Sequence, residues 1–369
     1  MEQHLGHRTF YQNLRRFVDQ QTLEIPEASR VVQPRWVEVT YEQPGGSWER
    51  LRFLPPRWRG TLRGRVQVRD GLAGAPWDVA FFNTQVPAVL GGAVARQRPY
   101  VISTDITPIQ YDRMGQHYRH AADRWGPLKA YKHAVNRRVF QGASAVLPWS
   151  SWVRQSLIAD YAVPVSRIEV VPPGVNLELW QPRGESPATG PLRVLFVGGD
   201  FHRKGGDVLL RAFRALREAG DDRAAQVELH VVTRSPATEG DGVVPHYDLK
   251  PNTPDLISVY RSCDVFVLPT EAEAFGIVAV EAAATGLPAI VTDVGGLTDV
   301  VTDGETGFVI RPGDVQVLVA RLRALATDRT LRARLGFAAR LRAETRFDAR
   351  KNAARIIEIV RSAADAAAG

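Results

Sequence analysis

Short apolar runs alternate with helical patterns along almost the whole chain, and this restricts it to α/β architectures built on parallel sheets. In the first half, residues 36–41, 79–82, 100–103, 145–148 and 168–171 read as strands, with helical patterns over 128–140 and 152–161. Pro172-Pro173-Gly174 breaks the pattern, and residues 181–191, rich in Pro, Gly, Ser and charge, read as a linker. A second alternation follows, with strands at 193–197, 227–232, 264–268, 289–292 and 308–310. Its helices fall at 207–219, 255–262, 277–285 and 315–326, and residues 330–368 read as helical throughout. The expected architecture is two doubly wound domains, residues 1–180 and 181–345, facing across a cleft. A C-terminal helix over 346–369 is expected to pack back towards the first domain. The 369 residues leave room for two cores.

The net charge of +7 is unevenly placed. Residues 1–180 hold 23 Lys and Arg against 15 Asp and Glu, whereas the remainder holds 24 against 25. Arg50, Arg52, Arg57, Arg59, Arg63, Arg65 and Arg69 concentrate the excess, with Trp48, Phe53, Leu54 and Trp58 among them. Such a cluster suits an anionic partner, either a membrane surface or a phosphorylated acceptor. An Arg-rich solvated face gives the same pattern, since only five of the 47 basic residues are Lys. No nucleic-acid module is present, so nucleic acid is not an expected partner. The lone Cys263 forbids an internal disulfide and fits a reducing compartment. Met1 to Asp19 shows no apolar leader core. The expected location is cytoplasmic, with peripheral contact at the inner membrane face through the basic half.

Two constellations carry chemistry. The first is Gly198-Gly199-Asp200-Phe201-His202-Arg203-Lys204-Gly205-Gly206, between a strand and a helix. Glycines at a strand-to-helix turn let backbone N–H groups approach a phosphate at the positive end of the helix. Arg203 and Lys204 stand where the helix dipole disfavours cations, and a bound diphosphate would resolve that conflict. The alternative is a surface turn whose cations point to water. Truncating either cation is expected to leave the empty protein as stable as before, or slightly more so.

The second constellation is Glu273-Ala274-Phe275-Gly276-Ile277-Val278-Ala279-Val280-Glu281. Glu273 precedes the helix and Glu281 lies within it, so their carboxylates are expected about 10 Å apart. That is wider than the roughly 5–5.5 Å pair of a retaining glycosidase. Two acceptors flanking a helix start suit an elongated ligand with hydroxyls at both ends and phosphate between, which is the shape of a nucleotide sugar. The alternative, which the pair taken alone favours, is that Glu273 is a favourable acid before a helix and Glu281 a solvated helix residue.

Together these runs resemble the retaining glycosyltransferases of family 4, which have the GT-B arrangement of two Rossmann-like domains. The resemblance runs from about residue 145 to 346. It is strongest over DVFVLPTEAEAFGIVAVEAAATGLPAIVTDVGGLTDVVTDGETGFVI, which carries the family's Glu-x7-Glu signature. FVGGDFHRKGGDVLLRAF resembles the family's phosphate turn and VVPPGVNLELWQP its interdomain hinge. The resemblance implies that Arg203 and Lys204 bind the donor diphosphate and that Glu281 accepts from the ribose. It also implies that Glu273 contacts the donor sugar, with the amides of Phe275, Gly276, Ile277 and Val278 completing the cradle. Gly6 and His7 are similar to the family's first loop, which approaches donor and acceptor. Asp105 falls where family members often carry an active-site His or Asp; it either orients the acceptor hydroxyl or caps a helix or turn.

No Asp-x-Asp occurs, so metal independence is expected, with no cofactor beyond the nucleotide sugar as substrate. His117 and His120 are expected on a solvated helix face rather than on a metal. The implied activity is transfer of a sugar from a nucleotide donor to a glycan, lipid or small-molecule acceptor. The rivals are a nucleotide-sugar epimerase and a non-catalytic nucleotide-sugar-binding subunit. A doubly wound domain should also open with a buried strand, and none precedes the helical pattern of Phe10, Leu14 and Phe17. Met1 is therefore expected to be an internal start, with a central strand upstream.

Overall fold

The computed structural model describes residues 6–24, 32–41, 56–118, 126–182, 184, 190–218, 226–235 and 240–368. The chain divides into two units. Unit 1 comprises Met1–Arg113, Ala121–Pro173 and Ala349–Gly369; unit 2 comprises Met114–His120 and Gly174–Asp348.

Unit 1 begins with helices α1 (Gly6–Glu24) and α2 (Pro56–Ala73), then β1 (Ala80–Phe82) and α3 (Gln85–Gly91). There follow β2 (Tyr100–Thr104), α4 (Pro108–Arg113), α5 (Gly126–Gly142), β3 (Ala145–Pro148) and α6 (Ser151–Ala159). The strands form a parallel sheet in the order β1-β2-β3. Its central strand is wholly buried, as expected of parallel strands covered on both faces. Phe140, Val146, Leu157 and Tyr161 form the core around it. A cavity of about 1220 Å³ lies against β1, walled by Leu14, Trp36, Phe81 and Ile356 among others.

Unit 2 contains β4 (Leu192–Val197), α7 (Gly206–Glu218), β5 (Val227–Val232), β6 (Val243–His246), α8 (Pro254–Ser262) and β7 (Val265–Leu268). It continues through α9 (Ile277–Ala284), β8 (Ala289–Thr292), α10 (Leu297–Val300), β9 (Gly307–Ile310), α11 (Val315–Thr327) and α12 (Arg329–Arg346). Its parallel sheet has the order β6-β5-β4-β7-β8-β9. The chain runs outward one way through β5 and β6, then returns to place β7 on the other side of β4. The reversal opens a crevice beyond the C-terminal ends of β4 and β7, the place where open α/β sheets bind ligands. Arg340 of α12 donates to the Ala284 carbonyl (2.6 Å), setting a cation at the negative end of α9.

Three sequence expectations are corrected. Residues 36–41 form no strand, because the Thr40 and Tyr41 N–H groups donate to Gln67 Oε1 on α2 (3.1 and 3.2 Å). Residues 168–171 form an isolated bridge at Ile168 and not a full strand: Glu169 N–H and Val171 N–H donate to the Val146 and Pro148 carbonyls of β3 (both 3.1 Å), but Pro172 and Pro173 beyond them have no N–H to extend the pairing. The helical tail is broken at Phe347 and Asp348, where the Phe347 carbonyl accepts Val175 N–H (2.9 Å). After the break, α13 (Ala349–Ala368) packs on α1 in unit 1. The basic cluster lies partly outside the described residues: Arg59, Arg63, Arg65 and Arg69 sit on α2, with Arg65 and Arg69 exposed and the other two half-buried. No described helix is long and apolar enough to cross a membrane.

Phe266 of β7 is fully buried in the middle of the unit 2 sheet. Phe266→Ala should cost about 3–5 kcal/mol of unit 2 stability, read as a lowered urea midpoint.

Candidate active site

The turn after β4 is held rigid before any ligand arrives. Lys204 N–H donates to Asp200 O (3.1 Å), Gly205 N–H to His202 O (3.0 Å) and Gly206 N–H to Phe201 O (2.9 Å). Phe201 is buried edge-on against Phe196, which pins the turn to the sheet. Gly205 has φ +80°, and a Cβ there would overlap the Pro269 carbonyl. Only glycine satisfies both demands. This close approach lays the β4 turn directly on the loop that follows β7.

The contacts across that approach are polar. Arg203 Nη1 donates to the Ala272 carbonyl (3.0 Å), and its Nε is 3.6 Å from Asp200 Oδ2. Thr270 Oγ1 lies 3.1 Å from the Arg203 carbonyl and accepts Ala272 N–H (3.3 Å). Lys204 Nζ pairs directly with Glu273 Oε2, and both side chains are largely buried. Glu273 Oε1 accepts Ala274 N–H at 3.2 Å. The far side of the loop is clamped by Gly295 and Gly296. Gly296 N–H donates to Ala274 O (2.9 Å), and a Cβ on Gly295 would overlap the Glu273 carbonyl. Phe275 is buried beside Phe347, and Gly276 starts α9. Ile277 and Val278 open α9, so their amides have no acceptor within the helix.

Glu281 lies one turn further and is 3% exposed. Burial pushes its carboxyl up to about 7, although the hydroxyl of Tyr260, donating to Oε2 at 2.8 Å, partly offsets the cost of charge. Burial likewise raises the Tyr260 hydroxyl well above its ordinary range. Near neutrality Glu281 is poised between acid and carboxylate, and hydroxyl donors from a ligand would favour the carboxylate.

In unit 1, the structure brings together two residues that lie far apart along the chain. His7 Nε2 is 3.2 Å from Asp105 Oδ1, and the His7 ring lies 4.9 Å from that of Trp149. Trp149 is itself fixed by donating to Ser103 Oγ at 2.7 Å. Gly6 and His7 open α1 and are not in a loop, which corrects that expectation. Asp105 is not a helix cap: α4 starts at Pro108, and Thr107 Oγ1 accepts the Gln110 N–H (3.3 Å). His117 is not on a helix either; it sits half-buried in a turn, its Nδ1 3.3 Å from Glu271 Oε2. His120 lies outside the described residues.

Sequence reasoning missed Thr270, Tyr260, Gly295 and Tyr118. Thr270 and Tyr260 had no local signal, because their partners lie far along the chain. The glycine pair Gly295-Gly296 was a usable signal of close backbone approach. The stability expectation for Lys204 is also overturned. Its ammonium neutralises a buried carboxylate, so Lys204→Ala should cost about 3 kcal/mol.

Residues 181–342 match the family described as "Glycosyl transferases group 1", and residues 28–179 match "Glycosyltransferase Family 4". A D-inositol 3-phosphate glycosyltransferase of Streptosporangium roseum is 32% identical over 322 residues, covering 72% of this chain and 71% of that protein. The chain belongs to glycosyltransferase family 4. A protein of the same name from Arthrobacter sp. (strain FB24) is 32% identical over 245 residues, 62% of this chain. The chain spans 58% of that relative's length. Among solved structures, sucrose-phosphate synthase from Thermosynechococcus elongatus shares the fold with a TM-score of 0.68 at 21% identity, covering 85% of this chain and 81% of that one. Anabaena Alr3699/HepE, solved with UDP and glucose, gives 0.61 at 20% identity, covering 88% and 85%. Both sheets of this chain thus belong to the GT-B fold class.

Two outcomes follow from the geometry. Gly205→Ala should lose more stability than Gly304→Ala, whose φ is +73° but whose surroundings are open. The Gly304 variant should lose about 1–2 kcal/mol for backbone conformation alone. Equal urea midpoints would show that the Pro269 contact is unimportant. For Glu281, the folded form binds a proton more tightly than the unfolded chain does. Stability should therefore fall as pH rises from 4.5 to about 7, and Glu281→Gln should flatten that slope. Parallel slopes for the two proteins would show that Glu281 titrates normally.

Proposed function

We propose that this chain is a retaining, metal-independent glycosyltransferase that moves a hexose from a nucleotide-diphosphate donor to an acceptor hydroxyl. The observation that carries this reading is the meeting of Arg203, Lys204 and Glu273 at the switch point of the unit 2 sheet. On donor binding the diphosphate replaces Glu273 as the partner of Lys204, and Arg203 adds charge-assisted bonds. Glu273, released from the ammonium, accepts from the donor sugar's hydroxyls. The first amides of α9 face the phosphate or sugar oxygens, and Glu281 accepts from the ribose through its carboxylate form. Arg203 and Lys204 also stabilise the negative charge that develops on the departing nucleotide diphosphate, the main electrostatic contribution to the step. A donor phosphate oxygen takes the acceptor proton on the same face, so anomeric configuration is retained without a protein nucleophile. In unit 1, Asp105 orients the acceptor hydroxyl, with His7 hydrogen-bonded beside it.

Metal independence rests on the absence of an Asp-x-Asp run and on the two cations that take the metal's usual electrostatic part. The proposed location is the cytoplasm, with the basic N-terminal half meeting an anionic surface. The solved neighbour that holds UDP makes uridine donors the first to try, and the names of the relatives make D-inositol 3-phosphate the first acceptor.

A thermal-shift panel of UDP, GDP and ADP with their sugars tests the donor site. A true donor should stabilise by about 2.7 kcal/mol at a hundredfold excess over Kd. No shift with any member would overturn the reading. Arg203→Ala should reduce transfer efficiency about 10- to 100-fold, the loss of one charge-assisted contact of roughly 1.5–3 kcal/mol. Conversion of the donor sugar with no acceptor present would favour an epimerase instead.

A further inference from the structure

One short segment of the chain belongs to unit 2 although the residues on either side of it belong to unit 1. This is Met114–His120, which follows α4. Its backbone turns tightly, with His117 N–H donating to Met114 O (3.0 Å) and Tyr118 N–H to Gly115 O (3.1 Å). The turn presents one side chain to Arg203 of the β4 turn and another to the loop after β7. The ring of Tyr118 lies against the Arg203 guanidinium, with 4.8 Å from Cζ to the ring centroid. His117 meets Glu271, next to the Ala272 whose carbonyl accepts from Arg203.

The choice of an aromatic face there has a chemical consequence. A guanidinium has five N–H donors. One is committed to Ala272 O and another is directed at Asp200. A third carboxylate or carbonyl would hold the side chain but would use further donors and compete with an incoming anion. A ring face attracts the cation through its quadrupole and consumes no donor. It therefore fixes Arg203, which is 14% exposed, and leaves its remaining donors available to phosphate oxygens. Arginine otherwise forfeits much of its rotamer freedom when it is immobilised by a ligand.

We propose that Tyr118 is a positioning residue for Arg203, holding the guanidinium ready for the donor diphosphate, and that the His117–Glu271 contact fixes the segment that carries it. The proposal rests on Arg203 being a diphosphate ligand. No group in it reacts with substrate; Tyr118 acts through Arg203.

The test is calorimetry with whichever of UDP, GDP and ADP binds the unmodified chain most tightly, and with the matching nucleoside as control. Tyr118→Phe keeps the ring face and should bind the diphosphate within twofold of the unmodified chain. Tyr118→Leu keeps apolar bulk without the face and should bind it about 3- to 10-fold more weakly, with nucleoside affinity unchanged. Tyr118→Met replaces the Leu variant if that does not fold. Adding Tyr118→Leu to Arg203→Ala should cost nothing further. Equal affinities for the Phe and Leu variants, or a parallel loss of nucleoside binding, would overturn the proposal. If Arg203→Ala weakens diphosphate binding and Tyr118→Leu does not, Tyr118 has no such role while the donor site stands. If Arg203→Ala leaves the affinity unchanged, or none of the three diphosphates binds, the reading of the donor site fails and this proposal with it.

Discussion

The pairing of Lys204 with Glu273 is the interaction on which the account of unit 2 depends. Two opposite charges sit largely out of water, each the other's main compensation. Such a pair is strongly unfavourable to break by deleting one member, yet readily exchanged when a new anion arrives. The backbone makes the pair possible: Gly205 lies where no side chain fits, against Pro269, and Gly295 clamps the opposite side of the Glu273 loop. Lys204, a cation that looked misplaced at a helix start, is thus neutralised by the neighbouring loop, and the proposed diphosphate site uses the same arrangement.

Sheet topology explains why the two loops meet. β4 and β7 are neighbours in space but far apart in sequence, and both run the same way. Their C-terminal loops, each leading into a helix, must therefore emerge side by side at the switch point. Glu281 extends the site along α9, buried against Tyr260. Its raised pKa follows from that burial, and in the proposed donor complex the ribose hydroxyls would favour its carboxylate form.

Much of unit 2 was legible in the sequence because its strands are short and predominantly apolar, with clear punctuation between them. The expected bounds of β5 and β8 agree with the observed ones to the residue. β6 escaped notice because Pro245 and the half-buried, polar-flanked Val243–His246 give an edge strand little periodicity. Residues 36–41 have strand-like apolar alternation, but Gln67 captures their backbone donors, a long-range contact that no local pattern encodes. The glycine turn and both glutamates stood out in the sequence as motifs, with their roles implied by the resemblance to family 4. Which carboxylate would neutralise which cation was not, since Lys204 and Glu273 are brought together by topology. The same holds for His7 with Asp105 and for Tyr118 with Arg203, whose partners come from elements distant in sequence.

The central claim is that diphosphate takes the place of Glu273 on Lys204. A crystal structure of the chain soaked with a nucleoside diphosphate tests it directly. The account predicts phosphate oxygens within hydrogen-bond distance of Lys204 Nζ and the Arg203 guanidinium, with Glu273 no longer on the ammonium. A nucleotide bound elsewhere, with the Lys204–Glu273 pair intact, would contradict it.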